Sequence, residues 1–317
     1  MIEKDDKIII GISSCLLGEK VRHDGGHKKS SYLLNILSPH AEFKPCCPEV
    51  GIGLGVPRPA IRLKGDPHNP RLIFVQDESK DITDRMLTFS TKKAKEMNEL
   101  DGYILKKDSP SCGMTKVRVY QEPAKSPKMG IGLFAKVLMD THPNLPMEDE
   151  GRLNDVMLRE NFLERVFVYK KLKKLAQKPT KGNIVEFHAT HKYALMAHSN
   201  EAYRKIGQKV SNLKNQTMKQ FIIEYTDDMM KAFKLVATRK KQTNVLQHIY
   251  GYIKKLITDI DRQEMCEVIE QYRMGLLPLI VPITLLKHHI NHNQLDYIKN
   301  QVYLYPYPDE LMLRNAI

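Results

Sequence analysis

The chain has 317 residues, 42% of them hydrophobic and 27% charged, with 50 Lys and Arg against 37 Asp and Glu for a formal net charge of +13. That length exceeds one small core and points to two domains, and without a long low-complexity run the composition excludes a chain disordered throughout. The longest apolar stretch, residues 276–286, is broken by Pro278 and Pro282 and is far too short to span a bilayer.

The opening MIEKDDKIII has no basic segment followed by an apolar one, so no secretory leader is expected. The expectation is a soluble, cytoplasmic protein with no membrane partner. Five cysteines, odd in number and widely spaced, fit reduced thiols better than a disulfide framework. The basic excess is larger in the second half and favours a polyanion, of which nucleic acid is the commonest.

In chain order, IIIGI, RLIFV, GYILK and KVRVY read as strands. SYLLNIL and ITDRMLTFSTKKAKEMNEL read as helices, with Ser30 or Ser31 and Asp81 as starting residues. Alternating β and α elements predict an α/β domain, doubly wound on a mainly parallel sheet, over residues 1–145. THPNLPMEDEGRLN, rich in proline and polar residues, reads as the linker. From residue 155 to 317 the apolar residues recur every three or four positions, which predicts an all-α domain. Thr180 or Asn183 caps its second helix, Cys266 is expected in the core, and Pro278 and Pro282 should force a turn between the last helices.

Cys15, Cys47 and Cys112 each sit just past a strand-like run. In an open parallel sheet such positions converge on the carboxyl edge, where ligands bind. Three thiolates there would leave one metal position open, which suits chemistry rather than structure. Structural zinc, the requirement of a non-enzymatic nucleic-acid module, normally takes four ligands at tight spacing, and these cysteines are far apart.

The loops around the thiols are polar. Ser13 and Ser14 precede Cys15, and Arg22, His23 and Asp24 follow it ahead of two glycines. Pro48 stiffens the chain after Cys47, and Glu49 beyond it is placed to act as a general acid or base. Arg58 and Arg62 suit phosphate or carboxylate groups. Ser109 and Ser111 flank Pro110 next to Cys112, where their hydroxyls either bind a heterocycle or make the turn. His188, His191 and His198 lie on roughly one helix face, without the carboxylates that a metal site usually adds.

SSCLLG with VRHDGGHK, CPE with GLGVPRPAIR, and KKDSPSCG together resemble the TudS family of thiouracil desulfidases. The resemblance implies an α/β domain with a [4Fe-4S] cluster on Cys15, Cys47 and Cys112, one iron left open, and Glu49 and Ser109 as catalytic residues. Ser13, Ser14, Arg22, Asp24, Arg58, Arg62 and Ser111 are the expected substrate contacts. KYALMAHS, NVLQHIYGYIKK, YRMGLLPLIVPITLLKHH and QVYLYPYPDELMLRN resemble the helical YbgA-type domain. The fusion resembles desulfidases acting on 4-thiouridine, which implies tRNA as partner and a thiolated nucleobase or nucleoside as substrate. Lys173, Lys174, Lys240 and Lys241 are the expected phosphate contacts.

Overall fold

Ile8, Ile10 and Ile12 are fully buried, and they place strand β1 (Ile8–Ser13) inside a sheet rather than at its edge. Burying each such side chain contributes roughly 1.5–3 kcal/mol. The structure is a computed structural model and describes residues 7–121, 128–213 and 217–315. The MIEKDD end of the N-terminal segment and the last two residues of the second predicted domain lie outside the described residues. Contacts divide the chain into two compact units, Met1–Asp155 and Val156–Ile317.

In the first unit β1 pairs with β2 (Ala41–Cys46), from Ile8 opposite Ala41 to Ser13 opposite Cys46. The short helix α1 (Pro48–Gly51) follows β2 directly. On its other side β1 pairs with β5 (Gly102–Leu105), which pairs in turn with β8 (Met147–Asp149). All three pairings are parallel, so the sheet β2-β1-β5-β8 ends on one carboxyl edge at Ser13, Cys46, Leu105 and Asp149. A side chain at Gly11 would strike the Tyr103 ring at 2.3 Å, so glycine is what lets that fully buried ring lie across β1.

A second sheet, ordered β4-β3-β6-β7, holds β3 (Ile61–Lys64), β4 (Arg71–Phe74), β6 (Val117–Tyr120) and β7 (Lys128–Gly130). The α/β class stands, but RLIFV and KVRVY belong to this mixed sheet, not to the parallel one. The cause is the link between β3 and β4. Gly65 turns at φ +97°, Asp66 accepts from the Asn69 amide, and the chain returns antiparallel as a hairpin. Helix α2 (Thr83–Lys95) packs against α3 (Leu133–Thr141). The predicted linker is also corrected: its residues Met147–Asp149 are β8, and the two units divide after Asp155.

The second unit is helical: α4 (Val156–Gln177), α5 (Lys181–His198), α6 (Asn200–Ser211), α7 (Met218–Phe233), α8 (Arg239–Ile253), α9 (Asp259–Met274), α10 (Ile280–His292) and the short α11 (Asp296–Lys299). Thr180 and Asn183 cap α5 reciprocally, so both expected candidates act together. Gly275, at φ +86°, ends α9 and makes the turn. Pro282 lies inside the first turn of α10, where its missing N–H has no helical partner to lose. Cys266 is exposed, contrary to expectation. Met265, Ile269 and Tyr272 form the buried stripe of α9, and Cys266 falls one residue off it.

Candidate metal centre

The carboxyl edge of the parallel sheet carries a cavity of about 330 Å³. Cys15 enters it from the turn after β1, Cys47 from the start of α1, and Cys112 from the loop after β5. Cys46, the last residue of β2, also lines it. Burial pushes the Cys15 thiol up to about 11 against the opposing pull of Lys106, with the Cys47 sulfur adding to the rise. Burial raises Cys46 to about 11, lifts Cys47, and holds Cys112 well above the usual thiol range. Thiols held neutral by desolvation become thiolates when a cationic centre compensates the charge.

Glu49 follows Cys47 by one residue beyond Pro48, which aims its carboxylate back into the cavity. Ser111 Oγ donates to its Oε1 at 3.0 Å. Arg58 donates to its Oε2 from Nε at 3.0 Å and from Nη2 at 2.6 Å. Arg58 also donates to the carbonyls of Val21 and Gly55. Its side chain is only 4% exposed, so this guanidinium is a fixed part of the wall.

Ser109 Oγ accepts from the backbone amides of Ser111 at 3.2 Å and Cys112 at 3.0 Å. It therefore shapes the loop that carries Cys112 while also lining the cavity. Ser13 Oγ accepts from the Lys106 amide and bonds the Cys112 thiol. Ser14 and Arg22 line the cavity as well.

Other expected contacts stand elsewhere. Asp24 is outside the lining and binds the Gly26 amide and Arg22. Arg62 pairs with Glu78 and stacks over Tyr120 at 4.7 Å. Ser111 is fully buried, and its hydroxyl reaches the cavity through Glu49. In the second unit Lys174 and Lys240 are exposed and Lys173 lies over Tyr169, whereas Lys241 Nζ is spent on the His198 carbonyl at 2.7 Å. His191 stacks on Phe187 and His198 pairs with Glu164, so these histidines do not converge.

Sequence reasoning passed over Lys106, Lys107 and Lys28, which line the cavity. Lys106 pairs with Glu150, which also accepts from the Lys107 amide at 2.6 Å. The position of Lys106 and Lys107 in the KKDSPSCG turn, directly after β5, and of Lys28 at the end of VRHDGGHK, was the available signal.

Among the described residues no three His, Cys, Asp or Glu side chains stand close enough to hold one metal ion. Thiols distributed around a cavity suit a group of several metal atoms, each thiol meeting its own atom. The donor set therefore fits an iron–sulfur cluster better than a lone zinc ion.

The family model described as 2-thiouracil desulfurase matches residues 10–150. This span contains every cavity residue named above. Over that span the chain is similar to the 2-thiouracil desulfurase family. Residues 192–308 match the family described as a protein of unknown function, DUF1722. The chain is 28% identical over 159 residues to the uncharacterized protein YbgA of Escherichia coli (strain K12), covering 50% of this chain and 94% of YbgA. A solved structure of the [4Fe-4S]-dependent thiouracil desulfidase TudS is 28% identical, covers 49% of this chain and 97% of its own, and superposes with a TM-score of 0.38. Within the matched span the first and third motifs supply Cys15 and Cys112, and the second supplies Cys47 with Glu49.

Proposed function

We propose that the protein removes the sulfur of 4-thiouridine in tRNA, leaving uridine and releasing sulfide, with a [4Fe-4S] cluster held by Cys15, Cys47 and Cys112. The observation that carries this reading is the convergence of those thiols and the clamped carboxylate of Glu49 on one cavity. When bound, the cluster supplies an iron without a protein ligand, a soft Lewis acid matched to a thiocarbonyl sulfur.

Exchanging sulfur for oxygen at C4 consumes one water and yields hydrogen sulfide, so a group must accept the water's proton. Glu49 is placed for that role. Its Oε2 accepts two bonds from Arg58, while Oε1 accepts one from Ser111 and keeps a lone pair for the proton. Ser109 Oγ spends both acceptor positions on the loop backbone and keeps its hydrogen as a donor to a ring carbonyl. Ser13 and Arg58 hold the walls of the cavity.

The rim favours a phosphate-bearing substrate. Arg22, His23, Lys28, Lys106 and Lys107 line the cavity against Glu49 and Asp108, and the whole chain carries +13. Access to a base inside tRNA requires it to leave its stack. A free thiouracil base is the second reading, favoured by the description of the matching family and by a cavity with room for one pyrimidine ring.

Anaerobic reconstitution, with iron and sulfide measured, followed by assays on thiolated tRNA, free 4-thiouracil and free 2-thiouracil tests both. Conversion of the tRNA supports the first reading. Sulfur retained in tRNA by cluster-loaded enzyme rejects it, and turnover of a free base alone supports the second. Cluster-loaded enzyme that converts none of the three rejects desulfuration itself.

A further inference from the structure

Three of the stretches that carry the likeness of the second unit to YbgA-type domains send residues to one cavity of about 430 Å³. KYALMAHS supplies His198, YRMGLLPL supplies Tyr272 and Leu279, and the final stretch supplies Arg314. Helix α4 adds Glu160 and Glu164. The desulfuration chemistry uses none of these residues.

Glu160, Glu164, His198 and Arg314 are buried and paired with one another or with neighbouring groups, apart from one atom of Arg314. Glu164 Oε2 meets His198 Nε2 at 3.1 Å. Glu160 Oε1 accepts from Arg314 Nε and from the Tyr307 hydroxyl, both at 3.0 Å. Arg314 Nη1 donates to the Tyr303 carbonyl at 2.7 Å. Among the described residues, Arg314 Nη2 is buried with no hydrogen-bond partner. A charged donor left unmet in a protein interior is costly, so a built network that leaves one calls for an acceptor from outside it.

Arg159 and Arg239 line the same cavity, so guanidinium groups outnumber carboxylates there. Val156, Val236, Leu279 and Leu313 give it an apolar wall. Arg314 also borders a cavity of about 270 Å³, but that one lacks Arg159 and Arg239. We propose that the larger cavity binds a small organic oxyanion, a carboxylate or phosphate monoester on an apolar body, with Arg314 Nη2 donating to the oxyanion. The site is independent of the desulfuration reading.

The test is calorimetric titration of the full chain with phenyl phosphate and with benzoate, against benzyl alcohol as the uncharged control. One of the charged probes binds and the alcohol does not, which also tells the phosphate source from the carboxylate. Arg314→Gln lowers the affinity at least about tenfold, the equivalent of one hydrogen bond to a charged group. Val236→Trp is the second variant: Val236 is 37% exposed, so the larger ring fills the cavity without breaking the Glu160–Arg314 pair, and it abolishes binding. Absence of binding by both charged probes, or affinity unchanged in Val236→Trp, overturns the proposal. So does a crystal grown with either probe in which water alone meets Arg314 Nη2.

Discussion

Arg58 and Glu49 form a one-sided clamp: the guanidinium gives Nε and Nη2 to a single carboxylate oxygen, Oε2, and leaves Oε1 to Ser111. The pair is nearly buried, with Arg58 4% and Glu49 14% exposed. Removing one partner would strand a charge, so conservative variants read the chemistry best. Glu49→Gln keeps an acceptor for Arg58 and loses only the proton acceptor. It should lower the rate of desulfuration about 10²–10⁴-fold, the usual worth of a positioned acid or base, with iron content unchanged. Arg58→Lys keeps the charge but loses the fork. It should cut the rate with a smaller change in KM, since it acts through the orientation of Glu49. Wild-type turnover in Glu49→Gln would remove the carboxylate from the mechanism.

Cys46 and Cys47 are adjacent and both line the cavity, yet their surroundings differ. The Cys46 thiol is buried against the Tyr103 hydroxyl, and the Cys47 sulfur adds to the rise of both Cys15 and Cys46. Cys47 Sγ also lies 3.9 Å from the Val21 carbonyl, on the same wall as Arg58. Cys47→Ala should therefore lose iron, sulfide and the visible absorption of the cluster, as should Cys15→Ala and Cys112→Ala. Cys46→Ala should keep all three. The reverse pattern between Cys46 and Cys47 would reassign the ligand.

The convergence of Cys15, Cys47 and Cys112 was legible because each follows a strand, and parallel strands share one end. The role of Arg58 was not. A sequence shows that a guanidinium is near, but whether it meets substrate or a neighbouring carboxylate depends on how the loop from Gly51 to Ala60 folds back. Arg62 was misplaced for a related reason: β3 pairs with β6, which puts Tyr120 within its reach, and with β4, whose following turn carries Glu78. Strand β8 was hidden because it is only 3 residues long, too short for alternation to appear, and it exists through its pairing with β5. Cys266 was misjudged because helix phase, not the hydrophobicity of a thiol, decides which side of α9 is buried.

The helical unit should weaken in mild acid. Burial, with help from Lys171, pushes His191 down to about 3 from 6.5. Its ring stacks on Phe187 at 3.8 Å, Nδ1 donates to the Phe187 carbonyl, and buried Nε2 has no partner among the described residues. Below pH 6.5 the unfolded chain takes up a proton that the folded chain refuses. Stability from this group is therefore complete above 6.5 and is lost as pH falls toward 3. Burial lowers His188 too, which adds to the same slope. For Glu164, burial opposes ionisation, but the charge and hydrogen bond of His198 outweigh it and hold the carboxyl below 4.5, so its contribution is lost only at lower pH. The unfolding free energy from urea titrations followed by helix circular dichroism should fall between pH 7 and 4.5, by on the order of a few kcal/mol. His191→Phe keeps the stacked ring and should flatten that slope. An unchanged slope would place the acid sensitivity elsewhere.

Gly132 controls the Cys112 loop from the far side. Its amide donates to the Gly113 carbonyl at 2.8 Å, just before α3, and the Leu133 and Ala135 amides donate to the carbonyls of Pro110 and Ser111. The loop is thus held on the first turn of α3, with its backbone packed against the glycine. A side chain at position 132 would meet the Ser111 carbonyl group at 2.5 Å and the Cys112 amide nitrogen at 2.8 Å. These are backbone atoms and cannot swing aside. Gly132→Ala should therefore displace Cys112 at a cost of roughly 1–3 kcal/mol, the range for overpacking. Iron and sulfide per chain should drop after anaerobic reconstitution, and desulfuration should fall in proportion, while circular dichroism stays unchanged. A Gly132→Ala protein with full cluster content would mean that α3 yields instead of the loop, and the thiol would then not depend on this contact.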